Sequence, residues 1–215
     1  MTQQSEDANS DLAFLRALVN EGPKAQGSAG TVFVAAGLAY GLDCLAYGAQ
    51  AAFDIPLAPW VWQALIYVPV VIVLAVIGYV IWRDRKVAQH GVATRALNAT
   101  YQSAGVANLI MCVVFGHAAT SEKSMLIWLL YPVVMCTFQG AIWYVAYMIR
   151  KALWMALICA GWLAVALTLG LMIHQTVVYL FVLGIALIVL MGGSGLLMLR
   201  NARLQASPSL QDTSQ

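Results

Sequence analysis

Asp43 is the residue whose type and position in this sequence point most clearly to chemistry. It is the single charged residue of a long apolar stretch, 30–52. At 100° per residue, Tyr40 and Tyr47 fall on the same helical face as Asp43. An ionised carboxyl group is costly in apolar surroundings unless it is paired, hydrated or protonated. The pattern therefore predicts a proton-binding or ligand-binding position at Asp43, with Tyr40 and Tyr47 beside it. We expect Asp43 to be hydrogen-bonded to a tyrosine or to Asn108.

Other polar and aromatic side chains lie at comparable depths in later apolar stretches. The candidate interior residues are Tyr67, Gln102, Asn108, Tyr131, Gln139 and Trp143. Two interpretations remain open for them. They form hydrogen bonds between helices that fix the packing, at about 0.6 kcal/mol per contact, or they line one site together with Asp43.

Histidine and cysteine residues give weaker indications of a functional site. His117 and His174 lie at one predicted depth on different helices, so they are weak candidates for haem ligands, with polar caps at the membrane boundary as the alternative. The four cysteines show no CxxC spacing. We expect no metal site, no bound cofactor and no disulfide.

The elements that carry these residues follow from composition. Hydrophobic residues make up 62% of the 215 residues, charged residues 9%, and the mean hydropathy is +0.80. A soluble domain cannot cover that much apolar surface, and a disordered chain has the opposite composition. The sequence is that of a membrane protein.

Long intervals without charge locate the membrane spans. The intervals 55–82, 96–121 and 124–149 each fit one helix of about 20 residues, and 152–199 fits two, with a turn near His174. The apolar stretch around Asp43 adds another. We predict an all-α polytopic protein with six transmembrane helices over residues 30–52, 59–82, 97–119, 125–149, 152–173 and 177–199.

Basic residues predict the orientation. Ten of the eleven Lys and Arg residues fall on one side of this topology, and Lys123 alone falls on the other. The positive-inside rule then places both termini in the cytoplasm. The predicted parts are a cytoplasmic leader with a short amphipathic helix (1–27), a six-helix bundle (28–200) and a disordered cytoplasmic tail (201–215). We expect no cleaved signal peptide, because the leader is polar and acidic.

Small residues mark one face of the first span. Gly37, Gly41 and Gly48 lie on this face, and Gly37 and Gly41 form a GxxxG pattern that allows another helix to approach closely. The partner helix belongs to the same bundle or to a second copy in a homodimer. Besides the lipid bilayer, we expect a cytoplasmic or membrane protein as partner and no nucleic acid.

Two segments resemble a known group of proteins. The leader Asp11-Leu12-Ala13-Phe14-Leu15-Arg16-Ala17-Leu18 and the later Ala36-Gly37-Leu38-Ala39-Tyr40-Gly41-Leu42 look like an uncharacterised family of small six-helix bacterial inner-membrane proteins. The resemblance implies a multi-pass protein of the bacterial inner (plasma) membrane and assigns no activity to any residue.

Three function classes fit these observations. The first is a non-enzymatic sensor, binding or accessory membrane subunit, since neither a Ser/His/Asp set nor paired carboxylates indicate an enzyme. The second is a small proton-coupled transporter of a cationic or aromatic solute that uses Asp43. The third is a haem-binding electron carrier that uses His117 and His174.

The topology gives a first testable prediction. A reporter enzyme that is active only in the periplasm should be inactive when fused after Arg203 and active when inserted at Lys123, because the basic bias puts these positions on opposite sides. Periplasmic activity of the fusion after Arg203 would contradict the orientation.

Overall fold

The computed structural model describes residues 23–85 and 92–206, and all of its regular elements are helices. Six of these helices are long and apolar enough to cross a membrane, which confirms the predicted fold class. The first five are α1 (Pro23–Phe53), α2 (Pro59–Asp84), α3 (Val92–Ser121), α4 (Met125–Arg150) and α5 (Leu153–Leu171). The sixth span is continuous and comprises α6 (Thr176–Ala186), a π-helical segment (Leu187–Gly192) and α7 (Gly193–Ala206).

The two ends of the chain differ in part from the prediction. The last helix continues to Ala206, so residues 201–206, which we expected to belong to a disordered tail, are helical. Residues 23–27, expected in the leader, likewise belong to α1. The predicted amphipathic helix of the leader and the rest of the tail lie outside the described residues.

Local sequence explains where the helices end. Pro59 occupies the first turn of α2, where its missing N–H costs no hydrogen bond. Asp54, Lys123 and Lys151 follow the ends of α1, α3 and α4, and all three have left-handed backbone conformations, with φ of 46°, 49° and 54°. A left-handed residue at this position stops a helix and reverses the chain within a few residues.

The six spans pack in a defined order. α1 packs along the whole sixth span, α4 packs against α5, and α5 contacts α6. α2 lies on α1, and α3 lies on α4. These two outer helices share no extensive contact, and they are the least buried of the six spans. The ends of the helices at Arg83, Arg150 and Arg200 lie on one side of the bundle, which we call the basic end.

The contact between α1 and the sixth span is made backbone to backbone. A Cβ atom added to Gly195 would lie 2.7 Å from the carbonyl oxygen of Gly30, and one added to Gly184 would lie 2.9 Å from that of Gly41. One added to Gly37 would collide with the backbone nitrogen of Gly192. The small-residue face of the first span therefore packs within the bundle. The homodimer through this face stays a prediction.

The π-helical segment lies at the centre of this contact. Gly37 faces both the carbonyl of Leu187 and the amide of Gly192, which are the two ends of the segment. The sequence Met191-Gly192-Gly193-Ser194-Gly195 thus forms a close-packed helix without a break. Ser194 is fully buried there, and its hydroxyl donates to the carbonyl of Met191 at 2.9 Å.

Two side-chain hydrogen bonds connect helices that are distant in sequence. At the basic end, Nη2 of Arg83 donates to Oγ of Ser28 at 2.7 Å, which ties the end of α2 to the beginning of α1. Towards the opposite end, the hydroxyl of the fully buried Tyr179 donates to the carbonyl of Leu129 at 2.5 Å, which ties the sixth span to α4.

The glycine contact gives a second prediction. Gly37→Ala should lower the free energy of unfolding by about 1–3 kcal/mol, because the added methyl group meets backbone atoms that cannot move aside. Gly78→Ala is the matched control, since a Cβ atom at Gly78 of α2 would meet nothing within 4 Å. Denaturation in mixed detergent micelles measures both variants. If Gly37→Ala and Gly78→Ala are equally stable, the close contact at Gly37 does not stabilise the fold.

Candidate functional site

Asp43 lies on α1 on the face turned away from the sixth span. It follows Gly41 by two residues, which is about 200° around the helix. Its side chain is half-buried, and the oxygen Oδ1 is buried without a hydrogen-bond partner among the described residues. A buried carboxylate oxygen without a donor is costly, so this atom is the clearest place in the described chain for a proton or a cation.

Side chains from three helices form a chain of neighbours that reaches Asp43 through Tyr40. Tyr131 of α4 donates its hydroxyl hydrogen to Oδ1 of Asn108 on α3 at 2.6 Å. Cys112, one turn further along α3, lies close enough to Tyr131 to interact with it electrostatically. Tyr40 of α1 lies within electrostatic range of both Asp43 and Cys112. We call these five residues, Tyr40, Asp43, Asn108, Cys112 and Tyr131, the Asp43 cluster.

The arrangement corrects one detail of the prediction. We expected Asp43 to bond to a tyrosine or to Asn108, but Asn108 accepts its bond from Tyr131 instead. The amide and the tyrosine therefore satisfy each other and hold α3 against α4. The carboxyl oxygen of Asp43 remains available for another group.

Tyr47 contributes at the border of the site. Its ring packs on Trp62 of α2, with ring centroids 5.5 Å apart. The face of α1 that carries Tyr40, Asp43 and Tyr47 is thus flanked by α2 on one side and by α3 on the other. α2 and α3 share no extensive contact with each other, so they do not close over this face as a packed pair.

Tyr67 does not belong to the interior, which contradicts the prediction. Its side chain is 63% exposed at the surface of α2. The buried residues of α2 are Pro69 and Val73, which face the bundle. Tyr67 precedes Pro69 by two residues and therefore points to the opposite side of the helix.

Gln102 is also exposed, and the predicted interior position is wrong for this residue. The neighbouring Tyr101 takes the inward direction instead. Its ring packs on Phe33 of α1 at 5.5 Å and on Trp143 of α4 at 6.3 Å between centroids. The error is one residue, which amounts to about 100° around α3.

Trp143 is interior, as predicted, but in a different cluster. It is fully buried and packs on Phe33, Tyr101 and Trp154, so rings from four helices meet nearer the basic end. Gln139 lies one turn from Trp143 on α4. Its Oε1 and the Nε1 of Trp143 are buried without partners in the part of the chain that the structure describes.

The two histidines lie at the surface. His117 of α3 and His174 of the turn between α5 and α6 are both exposed. The extensive contact of α3 is with α4 and not with α5 or α6, so nothing brings the two rings together. Among the described residues, no group of three or more His, Cys, Asp or Glu side chains could hold a metal ion.

A cavity of about 330 Å³ lies away from the Asp43 cluster. It is formed along α7 at the basic end, by Leu196, Leu199, Arg200, Arg203 and Leu204. Arg200 is twelve residues beyond Ile188, which packs on Gly41, and this corresponds to about 18 Å along the helix. The cavity therefore gives no access to Asp43.

Comparison of the chain with known protein families, with characterised proteins and with solved structures gave no match. The resemblance to a family of small bacterial membrane proteins thus stays a prediction.

The bond between Tyr131 and Asn108 gives a third prediction. Tyr131→Phe should lower the free energy of unfolding by about 0.6 kcal/mol, and by no more than about 1.7 kcal/mol, because it removes one hydrogen bond between helices in lipid. Tyr144→Phe on the exposed face of α4 is the control and should have no effect. In a double-mutant cycle with Asn108→Leu, an interaction energy of zero would show that the bond does not stabilise the bundle.

Proposed function

We propose that this chain is a non-catalytic subunit of the bacterial inner membrane, a sensor, binding or accessory protein that accepts a cationic group or a proton at the Asp43 cluster. The observation that carries the proposal is the buried Oδ1 of Asp43, which has no hydrogen-bond partner among the residues that the structure describes. A negative oxygen in low-dielectric surroundings attracts a proton or a cation more strongly than one in water does.

The form of the bundle favours binding over catalysis. The connections at 54–58, 122–124, 151–152 and 172–175 are short, so they leave no room for a further domain between these helices. The Asp43 cluster holds one carboxyl group, one amide, one thiol and two phenols. This set can bind and orient a ligand, but it contains no base paired with a nucleophile.

Location and orientation are part of the same proposal. Successive helices alternate in direction, so the described ends of the chain lie together at the basic end. The excess of Lys and Arg at this end supports a cytoplasmic position for both termini. Asp43 then lies in the outer half of the membrane, beyond the reach of solvent on the basic side.

A fourth prediction tests the proposed ligand class with a defined probe, tetraphenylphosphonium, a lipophilic aromatic cation. The wild-type chain in nanodiscs should bind the radiolabelled cation saturably. Asp43→Asn should raise its Kd about tenfold, because the amide keeps the size of the side chain but removes the charge. Tyr40 and Tyr47 can contribute by contact of the cation with their rings.

The control for this experiment is Asp54→Asn. Asp54 is exposed in the turn after α1, so its neutralisation changes the net charge equally without touching the Asp43 cluster. The proposal fails if Asp43→Asn binds the cation as the wild type does. It also fails if both variants lose affinity equally, since that would reflect surface charge alone.

A proton-coupled transporter is the second candidate, favoured by an ionisable side chain within a span and by the lack of extensive contact between α2 and α3. In proteoliposomes with a pH gradient, a transporter would accumulate the labelled cation in the lumen, and Asp43→Asn would stop accumulation. A binding subunit would retain the cation only in proportion to the amount of protein. The packed contact of α1 with the sixth span favours the binding subunit over the transporter.

A further inference from the structure

The exposed face of α3 carries a polar side chain that would be unfavourable in contact with lipid alone. Gln102 lies on this face, and no hydrogen-bonding group of the described residues reaches its amide. The nearby hydroxyl groups differ, because Thr100 donates to the carbonyl of Ala96 at 2.9 Å and Ser103 to that of Thr100 at 3.0 Å. Among Thr100, Gln102 and Ser103, Gln102 is therefore the residue whose polar side chain lies at the lipid-facing surface without a hydrogen bond.

The depth of Gln102 makes this position costly. The adjacent Tyr101 packs on Trp143, which precedes Arg150 by seven residues, or about 10 Å along α4. Gln102 thus lies about one third of the way into a hydrocarbon core of about 30 Å. An amide at this depth lacks water as a partner, and a second helix is the usual source of a hydrogen bond there.

The residues around Gln102 form a helix-packing surface. Gln102, Val106, Leu109 and Val113 follow one another at intervals of four, three and four residues, the spacing of a coiled-coil seam. The three apolar side chains are 60%, 67% and 65% exposed. A Cβ atom added to the neighbouring Gly105 would meet nothing within 4 Å, so a helix can approach this surface closely.

We propose that this seam of α3 is a homodimer interface, in which the Gln102 side chains of two copies bond to each other across a two-fold axis perpendicular to the membrane. Copies inserted in the same orientation carry the residue at the same depth. The primary amide is both donor and acceptor, so it is complementary to itself. A polar residue at a single position of an apolar seam also fixes register and the number of chains.

This surface is independent of the Asp43 cluster. Asn108 and Cys112 face α4, whereas Leu109 and Val113 face away from the bundle. The glycine face of α1 is occupied by the sixth span of the same chain. A dimer through α3 therefore leaves both the internal packing and the candidate site unchanged.

The test is single-molecule photobleaching of the full chain, labelled through a C-terminal tag, in liposomes over a range of protein-to-lipid ratios. The wild type should show two-step bleaching at low density. Gln102→Leu should weaken dimerisation several-fold, and Gln102→Asn, which keeps donor and acceptor, should retain most of it. Gln63→Leu, the same change at an exposed position of α2, should dimerise as the wild type does.

A second measurement locates the interface. In a chain with its four cysteines replaced by serine, Leu109→Cys should form an intermolecular disulfide on mild oxidation, and Leu74→Cys on the exposed face of α2 should not. The proposal is overturned if the wild type is monomeric at all densities, if Gln102→Leu dimerises as the wild type does, or if the two cysteine variants cross-link equally.

Discussion

The backbone contact between α1 and the sixth span is the constraint on which the rest of the bundle depends. Lipid tails are as apolar as leucine side chains, so helices in a bilayer gain little from apolar burial and associate through close van der Waals packing. Glycines on both helices remove the side chains that would keep the two backbones apart. This contact fixes the rotation of α1 about its axis, and that rotation decides which residues α1 presents to α2 and α3.

The same rotation explains why an acid can be kept within the membrane. With its small face against the sixth span, α1 must turn the face of Asp43 towards the outer helices. The aromatic cluster of Phe33, Tyr101, Trp143 and Trp154 fills the bundle nearer the basic end. Tight packing of α1 is thus concentrated on its side facing the sixth span, and Asp43 lies on the other side.

Much of this architecture could be predicted from sequence, because its causes are local or additive. Intervals without charge located the spans, although α1 begins and α7 ends seven residues beyond the predicted limits, and the glycine spacing identified the packing face of α1. The structure also buries Trp143 in the core and pairs Asn108 with Tyr131 between α3 and α4. These predictions required only helix geometry and the cost of placing charges in lipid.

Predictions that needed knowledge of neighbouring helices were wrong. Tyr67 and Gln102 are at plausible depths, but depth does not determine direction, and a rotation of about 100° moves a side chain from core to surface. The partner of Asn108 depended on where α4 lies, which spacing along α1 and α3 could not give. Phe33 is an apolar residue in an apolar span, so the sequence did not distinguish it, although it joins α1 to the aromatic cluster.

The π-helical segment has a consequence for how the sixth span tolerates changes in length. Its hydrogen bonds run to the fifth residue instead of the fourth, so the widened turn holds one residue more than an α-helix needs. Loss of one residue between Leu187 and Gly192 would restore α-helical winding. Gly184 and Gly195 would then still face α1. The same loss elsewhere in the span would rotate everything beyond it by about 100°. The segment is thus the one stretch of this span where the chain can be shortened without turning its contact surface away from α1.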